Sequence, residues 1–388
     1  MVKSRKRFGP GSGLLVFLAG FAAAGVACRL PPPATEGACV EWRGAFDLGS
    51  GSIKMKVAKV DACRGRLLEV IGAKQVVRAH RDALARDGQK LSAPVLAKSA
   101  QVIRALKGHS PVRPASWAGV ATEVFREAKN GAEAVTWLSR ETGVVLRIIS
   151  QQTEAALGFE LVARRVGAVR REDLVVWDLG GGSTQVSTWS QGKLAALLTA
   201  HGALSFKHLV LRLEGRDPAT THSPNPILPG VAKRASELVR EALMAQNPEL
   251  RARLARAAKK RVVGIGAVLA RSVLPVVAPG SHSFTRAQLD AGLERRLGLS
   301  DLELVRAGCA PRFVDTAVSN LLLVQAYMSA LGIDEVTVDD QDLTAAVLVD
   351  PEFWPARSSL KKGDERVQGR AREAVRGAAV AHPADRAR

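Results

Sequence analysis

The sequence has little of what several common kinds of site require. Its seven histidines show no paired zinc-ligand spacing, and it contains no Gly-x-x-x-x-Gly-Lys-Ser/Thr loop. Its four cysteines include no Cys-x-x-Cys pair, and aromatic residues make up only 4% of the chain. These absences argue against a zinc site, a P-loop nucleotide site and a surface that stacks single-stranded nucleic acid. We therefore expect no nucleic-acid partner.

The chain does have length, apolar content and positive charge. With 388 residues, of which 47% are hydrophobic, it can bury a large core and is long enough for two domains. Lysine and arginine total 56 against 37 acidic residues, so the net charge is +19. That charge favours a polyanionic partner, although it does not choose among nucleic acid, an anionic membrane and a polyphosphate.

The N-terminal segment has the layout of a secretory signal. Four basic residues precede an uncharged apolar run over residues 14–26, and small residues lead to Cys28. We predict a signal over residues 1–28, either plainly cleaved or of the lipoprotein type with Cys28 acylated, and a linker over 29–40. The protein is then expected outside the cytoplasm: periplasmic or membrane-anchored through Cys28, otherwise secreted, with membrane contact only through this segment.

Two of the cysteines flank a predicted hairpin symmetrically. Cys39 and Cys63 lie at equal distances from Gly51, since 51 − 39 = 63 − 51 = 12. A hairpin centred there would bring the two cysteines opposite one another, and we predict a disulfide between them. The alternative is a pair of buried free thiols.

One strand, turn and strand plan occurs twice. The turns cover residues 47–52 and 178–184, and both begin with Asp-Leu-Gly. Their separation, 178 − 47 = 131, has the size of a domain repeat. Strand patterns alternate with helical patterns between and after the turns, which indicates an α/β class. We predict lobes over 41–165 and 166–350 and a weakly ordered basic tail over 351–388.

Glycine-rich turns of this kind can hold phosphate. Glycine lets successive backbone N–H groups approach an anion without interference from a Cβ. For one turn alone a simple hairpin would be the better interpretation, but two copies favour opposite walls of a phosphate cleft. The predicted phosphate-binding residues are Gly49, Ser50, Ser52, Gly180, Gly181, Gly182, Ser183 and Thr184.

Each turn opens with an aspartate at the end of a strand. Asp47 and Asp178 are placed to hold a divalent cation, directly or through water, and so to offset phosphate charge. We predict Mg²⁺ or another divalent cation as the cofactor. The alternative is that each aspartate caps its own turn.

Five segments, in this order, resemble the exopolyphosphatase and guanosine pentaphosphate phosphohydrolase family. They cover residues 47–54, 121–131, 149–155, 178–184 and 264–267. The resemblance extends over about residues 42–350 and corresponds to the short, two-domain form of the family. It implies a duplicated α/β fold of the actin, hexokinase and acetate kinase type (ribonuclease H-like), with a cleft between two lobes.

The resemblance also implies residue roles. Glu154 matches the family's catalytic carboxylate, which would orient or deprotonate the attacking water. Lys54 and Arg126 match basic positions that would neutralise substrate oxygens. The alternatives are a solvated glutamate and surface ion-pair partners. The expected partner is inorganic polyphosphate or a polyphosphorylated small molecule, and a homodimer is compatible with the resemblance.

The chain departs from the family pattern at four places. Residues 151–153 replace a more acidic approach to the catalytic glutamate. Gln185 stands where the family commonly has glutamate, and Gly51 replaces the usual asparagine of the first turn. Residues 342–346 replace the family's late Gly-Leu-Arg-Glu-Gly. These departures affect the expectation of turnover more than the expectation of fold or phosphate binding.

Three functions follow in order of support. The first is metal-assisted hydrolysis of terminal phosphoanhydride bonds in polyphosphate, because predicted export argues against a cytoplasmic nucleotide as substrate. The second is a catalytically weak or inactive protein that binds polyphosphate or nucleotide in the same cleft. The third is a sugar or carboxylate kinase of the same fold, since residues 264–267 could face a nucleotide.

Overall fold

The computed structural model describes residues 39–77, 80–114 and 116–354. The predicted signal, Cys28, most of the linker and the tail beyond residue 354 lie outside the described residues, so those predictions stay predictions. Within the described ranges, no helix combines the length and the apolar character needed to cross a membrane.

The first sheet has five strands in the order β3-β2-β1-β4-β5. The antiparallel strands β1, β2 and β3 form one side, and β4 and β5 continue from β1 in parallel. The strands are β1 (Val40–Leu48), β2 (Ser52–Asp61), β3 (Arg66–Val77), β4 (Ser116–Ala121) and β5 (Val145–Ile148).

The second sheet has six strands in the order β10-β11-β9-β6-β7-β8. The antiparallel strands β6, β7 and β8 form one side, β9 and β11 continue from β6 in parallel, and β10 adds an antiparallel edge. The strands are β6 (Leu174–Leu179), β7 (Thr184–Ser190), β8 (Lys193–Thr199), β9 (Arg261–Ile265), β10 (Ser283–Thr285) and β11 (Glu335–Asp339).

The two sheets repeat one topology. The order β3-β2-β1-β4-β5 corresponds strand by strand to β8-β7-β6-β9-β11, with the same parallel and antiparallel pairs. In both sheets a central strand ends in an Asp-Leu-Gly turn and returns as its antiparallel neighbour. The duplicated α/β architecture predicted from the repeat is confirmed.

Helices cover both sheets. Several match the sequence patterns closely: α2 has proline in its first turn, and α4 ends at Gly143 in the left-handed region with φ +64°. The helices are α1 (His80–Arg86), α2 (Ala93–Gly108), α3 (Glu123–Glu127), α4 (Gly131–Thr142), α5 (Gln151–Val166), α6 (Ala203–Leu213), α7 (Pro229–Met244), α8 (Pro248–Ala258), α9 (Leu274–Val277), α10 (Arg286–Glu294), α11 (Asp301–Arg306), α12 (Val314–Leu331) and α13 (Leu343–Val349).

Two helices link the sheets. Helix α5 packs Phe159 and Val162 on the second sheet, while its Leu157 joins the apolar cluster on the first. Helix α13 lies in the sequence range predicted for the second lobe, yet it packs on β1, β2 and β4 of the first sheet. Residues 351–354 follow it as a short 3₁₀ turn that buries Phe353 and Trp354 in the same cluster.

The structure joins Cys39 and Cys63, the predicted pair, in a disulfide with Cα atoms 5.5 Å apart. The β1–β2 register pairs Val40 with Asp61, and the Ala62 amide donates to the Cys39 carbonyl. The disulfide therefore ties the start of the first hairpin to its end. Cys309 is buried as a free thiol.

The short helix α3 depends on a close backbone approach. The Gly131 amide donates to the Ala128 carbonyl, and a Cβ at Gly131 would lie 1.8 Å from the Phe125 carbonyl oxygen. Only glycine lets α4 begin this close to α3. The contact fixes α3 and therefore its side chain Arg126.

We expect Gly131→Ala to lower the free energy of unfolding by about 1–3 kcal/mol, because the added Cβ forces backbone apart. Gly108→Ala is the matched control: it also lies at a helix end, but nothing is within 4 Å of its added Cβ. Urea denaturation should place the control within about 1 kcal/mol of the parent. Equal stability of both variants would contradict this role of Gly131.

Candidate functional site

The first Asp-Leu-Gly turn is held open by its own backbone and by α1. The Gly49 amide donates to the Ser52 carbonyl at 2.9 Å. The Arg81 amide at the start of α1 donates to the Ser50 carbonyl at 3.1 Å, and a His80 ring nitrogen lies 2.9 Å from the Gly49 carbonyl. These bonds leave the turn facing a cavity between the sheets.

The second turn has the same internal bond. The Gly180 amide donates to the Ser183 carbonyl at 3.0 Å, as Gly49 does to Ser52. The amides of Ala203 and Leu204, in the first turn of α6, donate to the carbonyls of Gly180 and Gly181. The helix therefore supports the turn from behind by satisfying its carbonyl groups.

The two turns contact each other across the cavity. A Cβ at Gly181 would lie 3.2 Å from the Gly51 amide nitrogen and 3.3 Å from the Ser50 Cβ. Both turns line the cavity, together with Lys54, Glu154, Asp178 and Asp342. The structure thus brings the two predicted phosphate turns together on opposite walls of one site.

Opposite charges crowd the floor of the cavity. Lys54 donates to the Asp47 carboxylate at 2.8 Å, so the predicted substrate-binding lysine has an acidic partner in this structure. Burial opposes the charge of Lys54, but the carboxylates of Asp47, Asp342 and Asp178 together raise the pKa of Lys54 above its ordinary value. Lys54 is therefore held as a cation among several acids.

The predicted catalytic carboxylate is buried at the start of α5. Ser150 caps this helix by accepting from the Thr153 amide, which fixes the first turn that carries Glu154. Glu154 is 5% exposed and lies 2.6 Å from the Arg126 guanidinium, which also donates to the Ile149 carbonyl at 2.8 Å. Arg126 therefore orients Glu154.

Burial makes two acids of the site weak. Burial, opposed by Arg126 and assisted by the Asp178 and Asp47 carboxylates, raises the pKa of Glu154 to about 8. Burial, opposed by Lys54 and assisted by the Asp47 and Asp342 carboxylates, raises the pKa of Asp178 to about 7. Carboxyls with raised pKa in a cleft suit proton transfer near neutral pH.

The carboxylates at the turn starts fit a divalent cation. Mg²⁺ in proteins commonly takes one or two carboxylates and completes its shell with water and phosphate oxygens. Asp47 and Asp178 supply two, and both line the cavity. Burial, and then the neighbouring carboxylates of Asp47 and Asp342, raise the pKa of Asp178, and a bound cation would favour its ionised form. Within the described ranges, the one group of three converging metal-ligand side chains is Cys39, Asp61 and Cys63, and the disulfide occupies both cysteines.

Most predicted residues line the cavity, but two do not. Gly49, Ser50, Ser52 and Lys54 line it on one side, and the segment from Gly180 to Ser183 lines it on the other. Arg126 lies behind Glu154 instead, and Thr184 is fully buried with its hydroxyl donating to the His201 carbonyl. These two side chains therefore support the site from outside the cavity.

The departures from the family pattern lie in the site as well. Gln185 pairs across the sheet with Asp178 and donates to the Ser183 hydroxyl at 3.0 Å, so an amide replaces a carboxylate beside Asp178. Asp342 caps α13, lies 3.4 Å from the Lys56 ammonium and lines the cavity. The segment that stands in place of the family's late motif thus contributes the carboxylate of Asp342 to the cavity.

Other cavity residues were not predicted. Glu123 lies between the turns, within the segment that carried the family resemblance, so its position in that segment was the available signal. Farther out, the fully buried Lys207 pairs with Asp315 at 3.1 Å and Asp82 at 3.7 Å, and His208 bonds Asp82. Nothing local in the sequence marks this network, because its members come from α1, α6 and α12.

Comparison with known proteins finds a matching protein family. Residues 100–351 match the sequence model of the Ppx/GppA phosphatase family. This matched segment covers more than half of the chain and includes α3, α5, the second turn and α13.

Solved structures share the fold. The Aquifex aeolicus PPX-GPPA enzyme superposes with a TM-score of 0.61 at 18% identity, covering 80% of this chain and 99% of that one. An exopolyphosphatase from Cytophaga hutchinsonii gives 0.62 at 15% identity, covering 79% and 96%. This likeness confirms the predicted fold class.

One sequence relative matches a shorter part of the chain. An uncharacterized protein of Streptomyces coelicolor is 37% identical over 102 residues. The match spans 26% of this chain and 30% of that protein, so it concerns only part of either molecule.

The raised pKa of Glu154 predicts a pH-dependent stability. The folded state keeps a proton that the unfolded state releases near the ordinary carboxyl range, so the parent loses stability as pH rises toward about 8. Glu154→Gln removes this titration. Its stability relative to the parent should rise by on the order of 3 kcal/mol between about pH 5 and about pH 9.

Chemical denaturation in EDTA measures this difference. Glu160→Gln is the control, because it removes a partly exposed carboxylate from the same helix. This variant controls for the loss of one carboxylate charge from α5. A flat Glu154→Gln difference would show that Glu154 is ionised and well solvated in the folded protein.

Proposed function

Because the chain belongs to the Ppx/GppA phosphatase family, we propose that it hydrolyses terminal phosphoanhydride bonds of inorganic polyphosphate in the cleft between its two Asp-Leu-Gly turns. One observation carries the proposal. Glu154 is buried beside a cavity that both turns line, and Arg126 holds it from the opposite side. The arrangement offers a base beside an anion site.

The proposed reaction transfers the terminal phosphoryl group to water. Glu154 accepts a proton from the water, the water oxygen forms a bond to the terminal phosphorus, and the bridging P–O bond breaks. The products are inorganic phosphate and a chain shortened by one unit. Catalysis then depends on position and charge neutralisation rather than on covalent chemistry with the protein.

Burial favours Glu154 in this role. A carboxylate whose pKa is raised to about 8 is a stronger base than an exposed glutamate once it has lost its proton. Arg126 keeps the side chain in one orientation, and the buried surroundings strengthen its electrostatic interactions. When bound by Asp47 and Asp178, a divalent cation supplies neutralisation of the phosphoryl charge.

The substrate class follows from charge and shape. The turns offer neighbouring anion sites on facing walls. Lys54 is paired with Asp47, so a divalent cation held by Asp47 and Asp178 would supply the positive charge that the acidic floor lacks. Without residues 1–28, which carry four basic and no acidic residues, the net charge is 19 − 4 = +15, and it attracts polyanions to the surface as a whole. A linear polyphosphate matches these features without requiring a base-recognition site.

Gln185 supports a second candidate, a protein that binds polyphosphate or nucleotide with little or no turnover. It places an amide beside Asp178 where the family commonly has glutamate. A missing carboxylate would weaken cation binding while leaving both phosphate turns intact. The two candidates differ in phosphate release rather than in binding.

Phosphate release from long-chain polyphosphate with Mg²⁺ separates the candidates. We expect the parent to release phosphate and Glu154→Gln to fall by at least about a hundredfold, because the base is lost. Glu160→Gln, on the same helix, should match the parent. Equal binding by parent and Glu154→Gln with release from neither would rule out the hydrolase and favour the binding protein.

We also infer that the protein works outside the cytoplasm. The signal pattern over residues 1–28 supports export, and a disulfide between Cys39 and Cys63 is suited to an oxidising compartment. Cell fractionation with thiol alkylation should recover an oxidised, processed protein outside the cytoplasm. Recovery of reduced, full-length protein in the cytosol would contradict export.

A further inference from the structure

Glu123 is a buried acid that the proposed reaction does not use. It is the first residue of α3 and is 4% exposed. The Ser50 hydroxyl of the first phosphate turn donates to one of its carboxylate oxygens, and the Arg81 guanidinium lies 2.7 Å from the other. The carboxylate therefore occupies Ser50, a donor on the cavity wall, and Arg81, which is not part of the cavity lining.

The same carboxylate touches the second turn. A Cβ added to Gly182 would lie 1.9 Å from Glu123 Oε2 and 2.1 Å from its Cδ. Beside it, Gly181 closes on Ser50 and Gly51 of the first turn. Glu123 thus fills the gap between the two turns, and any side chain at position 182 would collide with it.

The gap between the turns suits an anion that accepts hydrogen bonds. A hydroxyl on one side and a guanidinium behind it are donors that phosphoryl oxygens commonly take. A carboxylate has the same charge sign and the same acceptor chemistry as a phosphoryl group, but carries less charge. The two groups would repel each other if both were ionised in one small, poorly solvated space.

We propose that Glu123 is a specificity-determining residue whose carboxylate occupies the place of a bound phosphoryl group and competes with it for Ser50 and Arg81. A phosphate chain enters only when this carboxylate withdraws or becomes neutral. The inference rests on the proposed function for the identity of the phosphate chain. Its test is a binding measurement, which does not require turnover.

The charges around Glu123 make this competition depend on pH. Arg81 of α1 faces it, Glu127 of α3 shares the same guanidinium, and the facing residues of the second turn do not titrate. Arg212 of α6 is close enough to Arg81 for the two positive charges to interact. Burial, opposed by Arg81 and Ser50 and assisted by Glu127, raises the pKa of Glu123 to about 7.

The direction follows from linkage. A bound phosphate chain favours the neutral carboxyl, so binding takes up a proton where Glu123 is otherwise ionised. Affinity for the chain should therefore rise as pH falls through about 7. At low pH the carboxyl is neutral before binding, and the competition disappears.

The test measures tripolyphosphate binding by isothermal titration calorimetry, with every protein in the Glu154→Gln background so that nothing is hydrolysed. Glu123→Gln keeps the shape and the Ser50 hydrogen bond but has no charge. We expect it to tighten binding by about tenfold at about pH 8.5 and to change it less than twofold at about pH 5.5. Titration in buffers of different ionisation enthalpy should also show a smaller proton uptake in this variant.

Glu141→Gln is the matched control, because Glu141 also pairs with an arginine, Arg104, and its side chain is 38% exposed, but it lies outside the cavity. It should leave the affinity within about twofold of the background at both pH values. Thermal melts of each variant verify folding. An unchanged or weaker affinity of folded Glu123→Gln at high pH would overturn the proposal and make Glu123 a structural partner of Ser50.

The titration also separates this inference from the proposed function. If the background protein binds no tripolyphosphate at any pH, the proposed substrate class is wrong, and there is no phosphate chain with which Glu123 could compete. If it binds with an affinity that Glu123→Gln does not alter, the substrate class stands and the competition fails. Tighter binding by Glu123→Gln, confined to high pH, supports both.

Discussion

Burial of negative charge on the cavity floor is the constraint around which the rest of the site is arranged. Asp47, Asp178 and Asp342 lie near one another, and Lys54 is the cation that they share. Carboxylates removed from water need such a partner or must take up protons. Burial raises the pKa of Asp178 and Glu154, and the neighbouring cations Lys54 and Arg126 offset this rise only in part. A site whose buried negative charge is only partly neutralised is suited to bind a cation together with a polyanion.

The duplicated fold produces this crowding. Each sheet delivers one aspartate at the end of a central strand, followed by a glycine turn with the same internal hydrogen bond. Helix α5 bridges the sheets and places Glu154 at their junction, while α13 returns to the first sheet and adds Asp342. Acids from both repeats and from both linking helices therefore meet in one cleft. In this cleft the charge of each acid influences the pKa of its neighbours.

The sequence revealed the parts of this arrangement that are local. The patterns around residues 47–52 and 178–184 predict a strand, a turn and a second strand. The first of these hairpins also predicts the disulfide, because Cys39 and Cys63 are equally far from its turn. Glu123 and Asp342 could not be assigned in this way, because their positions depend on packing between distant segments. Arg126 shows the same limit: its charge suggested substrate contact, whereas the fold turns it onto Glu154. The sequence shows which residue types are present, but it does not show where their side chains point.

The central claim is that a terminal phosphoryl group lies between the two turns, within reach of Glu154. A crystal structure of the Glu154→Gln protein with tripolyphosphate and Mn²⁺ tests it most directly, because manganese is located independently by its anomalous signal. The account predicts phosphate density contacting both turns, with manganese at Asp47 and Asp178. Phosphate bound elsewhere on the basic surface, with the turns closed and the metal absent from these aspartates, would contradict it.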